Sequence, residues 1–254
     1  MDFGRTAKDY GRHRAGFPPD FFARVATWGV GVAGQRVLDL GTGTGTLARG
    51  FAQRGCRVTG LDPSASMLDK ARELGLEEGV QVDYVQASAE ETGLPDASFD
   101  VVTAGQCWHW FKRDVAAKEA MRVLRPNAVL VIAHFDWIPL PGSIVEATEA
   151  LIEEHNPSWK MGGGCGIHWR WFADLSAGGF LALESFSFDL DQPYSHEAWR
   201  GRIRASAGVA ATLDAAAVQR FDAEHAALIA ERFPEEPLKA PHRVFALIGR
   251  KGSE

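Results

Sequence analysis

An apolar run that gives way to alternating glycines constrains this chain more than any other feature. Val37-Leu38-Asp39-Leu40-Gly41-Thr42-Gly43-Thr44-Gly45-Thr46 reads as a buried parallel strand, beginning at Arg36, that turns into a loop able to approach a ligand closely. Thr46-Leu47-Ala48 through Arg54 reads as the next helix. A ligand is expected at its N-terminus, where backbone N–H groups and the helix dipole point outward.

The glycine spacing narrows the ligand. A dinucleotide cradle wants G-x-G-x-x-G, whereas the third glycine here, Gly45, falls one place early and Thr46 follows it. A pyrophosphate is therefore disfavoured. Asp39 stands at the strand end, where a carboxylate can meet the ammonium of an amino-acid moiety directly or through water. Asp62 closes the next strand, Arg57-Val58-Thr59-Gly60-Leu61, about 20 residues on, where an acid holds ribose hydroxyls. An adenosine with an amino-acid tail suits both acids.

Val37 to Gly45, Gly60-Leu61-Asp62-Pro63-Ser64, Ser88-Ala89-Glu90 and Leu94-Pro95-Asp96-Ala97-Ser98-Phe99-Asp100 together resemble the class I S-adenosylmethionine-dependent methyltransferases with a type 11 domain. The resemblance implies S-adenosyl-L-methionine as cofactor and S-adenosyl-L-homocysteine as product. It places Gly41, Gly43 and Gly45 close to the cofactor, Asp62 at the ribose, Pro63 among the cofactor contacts, and Met67 against the adenine, although Met67 equally fits a core position. Ser88 stands where related enzymes often carry an Asp that contacts the adenine amino group. Ala89 can offer its backbone N–H there, and Glu90 completes the motif.

The resemblance also implies an α/β, Rossmann-like fold: a seven-stranded, mostly parallel sheet with an antiparallel last strand, helices on both faces and a helical lid insertion. Within one domain over residues 1–254, residues 1–30 would cover the cofactor and 31–135 form its core, with 136–180 and 191–240 as substrate-lid insertions.

Length and charge agree. At 254 residues and 46% apolar content the chain can bury a full core. Its net charge of -6 comes from interspersed residues, with no Lys/Arg run to grip nucleic acid. The start, Met1-Asp2-Phe3-Gly4-Arg5-Thr6, lacks an apolar signal core, and no run approaches membrane-spanning length, so a cytoplasmic protein, monomer or homodimer, is expected. Cys56, Cys107 and Cys165 are odd in number and widely spaced, which fits free thiols. Cys165 precedes His168 by three residues and Cys107 precedes His109 by two, yet neither has a second ligand pair, so no metal site is read.

Strand and helix patterns alternate along the first half. After Pro63-Ser64, Met67, Leu68, Ala71 and Leu74 recur at helical steps until Gly75 interrupts them. Val80 to Gln86 and Phe99 to Ala104 read as strands, Asp114 to Leu124 as a helix ending before Pro126, and Val129 to Ala133 as the fifth strand. This alternation calls for a parallel sheet. Further on, Leu181 to Leu190 and His242 to Gly249 read as strands. Between them lie Trp199 to Ser206 and a helix carrying Val218, Phe221, His225, Leu228 and Ile229.

Several residues could serve an acceptor. Tyr10-Gly11-Arg12-His13-Arg14 resembles the opening of the trans-aconitate-methyltransferase-like branch, which implies that Tyr10 and Arg14 fold over the cofactor carboxylate; Ala15 and Phe17 depart from that pattern. Gly105-Gln106-Cys107-Trp108-His109-Trp110-Phe111 resembles a segment of the same branch, whose members esterify small carboxylic acids. Strand carboxyl ends line the crevice of open α/β sheets, so Gln106 is expected at the cofactor and Trp108, His109 and Trp110 at the acceptor. His134 is a second acid/base candidate beside His109, Trp137 occupies the rim, and Trp159, His168, Trp169, Trp171 and Phe172 crowd a glycine-rich loop. Arg202 and Arg204, with Trp199 and Ser206, resemble an arrangement in which Arg204 receives a substrate carboxylate bidentately.

Methyl transfer from a sulfonium is mostly alignment, which is worth roughly 7–11 kcal/mol. A carboxylate acceptor is ionised at neutral pH and needs no base. The favoured reading is transfer to oxygen of a small carboxylate or hydroxyl compound. Transfer to carbon, nitrogen or sulfur would need His109 or His134 to take a proton, and binding of S-adenosylmethionine without turnover is the non-enzymatic alternative. A dehydrogenase would instead bind a nicotinamide dinucleotide.

Overall fold

The computed structural model describes residues 16–253; Tyr10 and Arg14 lie outside the described residues. Two compact units divide them. Residues 16–135, 168–187 and 244–253 make a sheet unit, and residues 136–167 and 188–243 make a helical unit.

In the sheet unit, helix α1 (Pro19–Ala26) starts with proline at its first position and buries Phe21, Phe22 and Val25 along one face. Strand β1 (Arg36–Leu40) runs into the glycine loop and helix α2 (Thr46–Ala52), and β2 (Arg57–Asp62) follows. Helix α3 (Ala65–Glu78) is capped by Ser64 and leads to β3 (Asp83–Gln86), shorter than the Val80–Gln86 run expected. Strand β4 (Phe99–Gly105) and helix α4 (Arg113–Val123) come next, then β5 (Leu124–Trp137).

Parallel registers link β1 to β2 (Val37 opposite Val58), β1 to β4 (Asp39 opposite Thr103), β2 to β3 and β4 to β5. The continuous burial of β1, β4 and the middle of β5 is what a parallel sheet covered by other elements demands.

Strand β6 (Leu181–Tyr194) and strand β7 (Leu238–Arg250) complete the seven-stranded order β3-β2-β1-β4-β5-β7-β6. Only β7 is antiparallel. The hydrogen bonds flanking it show the direction: Asn127 N–H reaches the Gly252 carbonyl, Lys251 N–H the Ala128 carbonyl and Ile138 N–H the Pro241 carbonyl, one index rising as the other falls.

Two sequence readings need correction. Gly75 does not end α3; it sits buried within it, where a Cβ would come 3.2 Å from the Val80 carbonyl, and the helix closes at Gly79, whose φ of +66° suits a left-handed cap. The fifth strand also reaches well beyond Val129–Ala133, because Pro126 lies at its exposed beginning.

In the helical unit, α5 (Ile144–His155), α7 (His196–Arg204) and α8 (Ala215–Arg232) enclose a core that includes Ile152, Trp199, Ile203 and Phe221. Helix α6 (Trp171–Ala177) belongs to the sheet unit. No helix among the described residues is long and apolar enough to cross a membrane.

Candidate functional site

Asp39 faces its register partner Thr103 across β1 and β4. Thr103 Oγ1 donates to Asp39 Oδ1 at 2.7 Å, and Thr42 Oγ1 donates to Oδ2 at 2.7 Å. With 1% of its surface exposed, Asp39 has its carboxyl pushed up to about 6 by burial, against the pull of the two hydroxyls. The sequence reading expects an ammonium near this carboxylate, directly or through water. Both oxygens already accept threonine hydroxyls, and the carboxylate anchors the loop from below.

The three glycines differ in what surrounds them. All take positive φ: +60° at Gly41, +56° at Gly43 and +78° at Gly45. A Cβ on Gly41 would press on Phe111 and Cys107 at 2.9–3.0 Å, and one on Gly45 would come 2.5 Å from the Tyr84 hydroxyl. Among the described residues, nothing lies within 4 Å of a Cβ on Gly43. Gly41 and Gly45 are thus required by packing, whereas Gly43 has open space beside it among the described residues.

That open side adjoins Asp62 at the end of β2. Gly43 N–H donates to Asp62 Oδ2 and Ser64 N–H to Oδ1, each at 2.9 Å, which fixes the carboxylate; burial raises its pKa against these two bonds. Thr42 N–H ties the loop to the Leu61 carbonyl at 2.9 Å. Below, Arg49 donates to the Thr44 carbonyl and pairs with Glu78 at 2.9 Å. Sequence reasoning missed Thr42, Thr103 and Arg49; the signals were a hydroxyl inside the loop, another at matching register, and a lone cation on an otherwise apolar helix.

The other expected cofactor contacts are distributed around β2 and β3. Pro63 accepts a hydrogen bond from Gln86 Nε2 at 3.1 Å, and Met67 is buried near the start of α3. Ser88 Oγ accepts from Glu91 N–H at 3.2 Å, Ala89 is buried, and Glu90 Oε1 accepts from Lys112 N–H at 2.8 Å. The Ser88 side chain thus secures its own loop, and Glu90 ties that loop to the residue preceding α4.

At the end of β4, Gln106 takes φ +61°, a strained value for a side-chain-bearing residue and a mark of functional sites. Its backbone N–H donates to the Ala133 carbonyl at 2.8 Å and its Nε2 to the Phe135 carbonyl at 3.1 Å. Trp108–Trp110 then forms one 3-10 turn. The turn ends strand alternation, so the two tryptophans part: Trp110 is 47% exposed, and Trp108 is fully buried with Nε1 donating to Asp174 Oδ2 at 3.1 Å. Trp108 is a core residue, which corrects its expected place in an acceptor pocket.

His109 and His134 come together. Their ring centres lie 5.2 Å apart, and His109 also packs on Trp110 at 4.4 Å. His168 joins them, 4.5 Å from His134 and stacked on Trp171 at 4.0 Å and 3°.

In the helical unit, Trp137 Nε1 donates to Glu149 Oε1 at 2.7 Å, and Arg202 stands over its ring at 4.8 Å. Arg204 donates to Asp222 at 2.8 Å and to Glu197 at 2.6 Å. Its charge is matched within the unit by these two carboxylates.

The loop's donor set fits an adenosine with a cationic amino-acid tail. An open glycine allows backbone approach, an oriented carboxylate at the end of β2 suits a diol, and two acids place negative potential beneath the loop.

Residues 38–132 match the family model described as a methyltransferase domain. An uncharacterized methyltransferase of Mycobacterium tuberculosis is 38% identical over 151 residues, 57% of this chain and 59% of that protein, so the chain aligns with about three fifths of that relative's length. An uncharacterized methyltransferase of Schizosaccharomyces pombe is 32% identical over 209 residues, covering 76% of this chain and 75% of that one. A solved structure from Anaeromyxobacter dehalogenans, described as a Type II methyltransferase, superposes with TM-score 0.64 at 26% identity over 94% of this chain and 97% of its own.

Proposed function

The chain belongs to the methyltransferase family, and on that premise we propose that it binds S-adenosyl-L-methionine and transfers its methyl group to an oxygen of a small carboxylate- or hydroxyl-bearing compound. The observation that carries this reading is Asp62, held by the amides of Gly43 and Ser64 beside the loop glycine that, among the described residues, faces open space.

The cofactor, when bound, supplies an electrophilic methyl on a sulfonium. The chain's part is to bind, orient and exclude water. Asp62 takes the ribose hydroxyls, Gly43 lets the backbone approach, and Asp39 keeps negative charge under the loop. Cys107 Sγ, donating to the Leu40 carbonyl at 3.1 Å, and Phe111 pack against Gly41 and hold the loop's first turn in place.

A carboxylate acceptor is ionised at neutral pH, so alignment is the main requirement, worth roughly 7–11 kcal/mol. A hydroxyl acceptor brings a proton. His109, half-buried beside the exposed Trp110, takes it, with His134 as the neighbouring imidazole; a positioned base adds roughly 10²–10⁴-fold in rate. The same pair supports a second reading, in which a protonated nitrogen, carbon or sulfur is the acceptor.

Incubation with methyl-labelled cofactor and a panel of carboxylic acids, phenols, amines and thiols tests the proposal. Label in ester or ether products is expected. Label confined to amines or thiols selects the second reading, and binding without label in any product overturns both.

A further inference from the structure

We propose that His134 and His168 form a binding site for a first-row divalent transition metal ion. The two residues lie 34 positions apart in sequence, so no ligand spacing reveals them; the fold brings them together in the sheet unit. The sequence pairs His168 only with Cys165.

Three observations carry the site. The ring centres of His134 and His168 are 4.5 Å apart, and a ring nitrogen of each lies within 4.8 Å of the other's. Two imidazoles sharing one ion, each at a metal–nitrogen distance of about 2.0–2.1 Å, hold their ring centres roughly 4.5–5.3 Å apart. The separation found here falls in that interval.

The rings are also preorganised. His168 lies flat on Trp171, 4.0 Å away and 3° from parallel, with Phe245 at 5.7 Å. Trp171 packs on His134 as well, at 4.8 Å. One buried indole therefore fixes both imidazoles, so little side-chain entropy remains to be lost when an ion binds.

Finally, the donor type selects the ion. Imidazole pairs suit zinc, copper, nickel or cobalt rather than magnesium or calcium, which take oxygen. His109, with its ring centre 5.2 Å from that of His134, is the next imidazole in reach.

The test uses untagged full-length protein freed of metal by dialysis against a chelator and titrated with Co²⁺, read by its visible d–d absorption, with Zn²⁺ as the displacing ion. Saturable binding of one Co²⁺ per chain, reversed by Zn²⁺, is expected. Both His168→Ala and His134→Ala should weaken it by roughly tenfold or more, while His196→Ala, in the helical unit, leaves it unchanged. His134 is buried, so His168→Ala, at a half-buried residue, carries the result if the other variant fails to fold. Absence of saturable binding, or binding that persists at full affinity in folded His168→Ala, overturns the proposal. The readout needs neither cofactor nor acceptor, so it stands or falls separately from methyl transfer.

Discussion

Thr103 on β4 and Asp39 on β1 are register partners joined by a 2.7 Å hydroxyl-to-carboxylate hydrogen bond beneath the glycine loop. Thr103→Val keeps the shape and removes the donor. It should destabilise the protein by about 1–3 kcal/mol, because a buried carboxylate oxygen loses its partner. Urea unfolding checks this; an unchanged midpoint would contradict the arrangement.

The raised pKa of Asp39 makes a signed prediction. A carboxyl near 3.8 when unfolded and about 6 when folded binds its proton more tightly in the native state. Its contribution to stability is fully present below about 4 and is lost as pH rises through about 6, a loss on the order of 3 kcal/mol. Asp39→Asn, which cannot ionise, should therefore gain in melting temperature over wild type as pH rises from 4 to 7. Parallel curves would refute the shift.

His225 works in the opposite direction. Thr148 Oγ1 donates to the Ile144 carbonyl at 2.7 Å, accepts from Trp199 Nε1 at 3.1 Å and meets His225 Nε2 at 3.1 Å. The hydroxyl's proton is already used, so Nε2 of a neutral imidazole is the donor. Burial lowers the His225 pKa from 6.5 to about 4. The native state thus resists protonation; stability is full above 6.5 and falls as pH drops toward 4, by about 3 kcal/mol. His242, also pushed by burial to about 4, adds to the effect. His225→Gln should flatten the acid limb of a melting-temperature profile, and an unaltered limb would rule this histidine out as its source.

Glycine replacements separate packing from ligand approach. Gly45→Ala should lower stability the more, since its Cβ would press on the Tyr84 hydroxyl at 2.5 Å. Gly43→Ala has room, so it should cost only the roughly 1–2 kcal/mol of a left-handed backbone yet weaken cofactor binding. Melting curves and calorimetry on both variants distinguish these effects. Equal losses of stability would contradict the difference in surroundings.

The two neighbouring tryptophans give a similar contrast. Trp108→Ala should cost about 3–5 kcal/mol of stability, as for a large core truncation. Trp110→Ala should leave the melt nearly unchanged and raise the acceptor KM.

Much of this was legible in the chain. Apolar runs at Val37–Leu40 and Val101–Ala104, together with the glycine spacing, located β1, β4 and the loop, because buried parallel strands must be continuously apolar. What stayed hidden depended on register or chain reversal. Thr103 could be matched to Asp39 only once β4 lay beside β1. Trp108 parted from Trp110 only because the chain turns at Cys107, and Asp222, one partner of Arg204, comes from a separate helix. His168 carried no spacing signal toward His134, because contact between them exists only in the folded sheet unit.

Isothermal titration of S-adenosyl-L-methionine into wild type and Asp62→Ala, with melting curves to verify folding, tests the central claim most directly. Micromolar binding by wild type and a loss of about 10- to 100-fold in the variant are predicted, since hydrogen bonds to a charged group contribute about 1.5–3 kcal/mol. Equal affinity in the two proteins, or wild-type binding of a nicotinamide dinucleotide in place of the sulfonium compound, would contradict it.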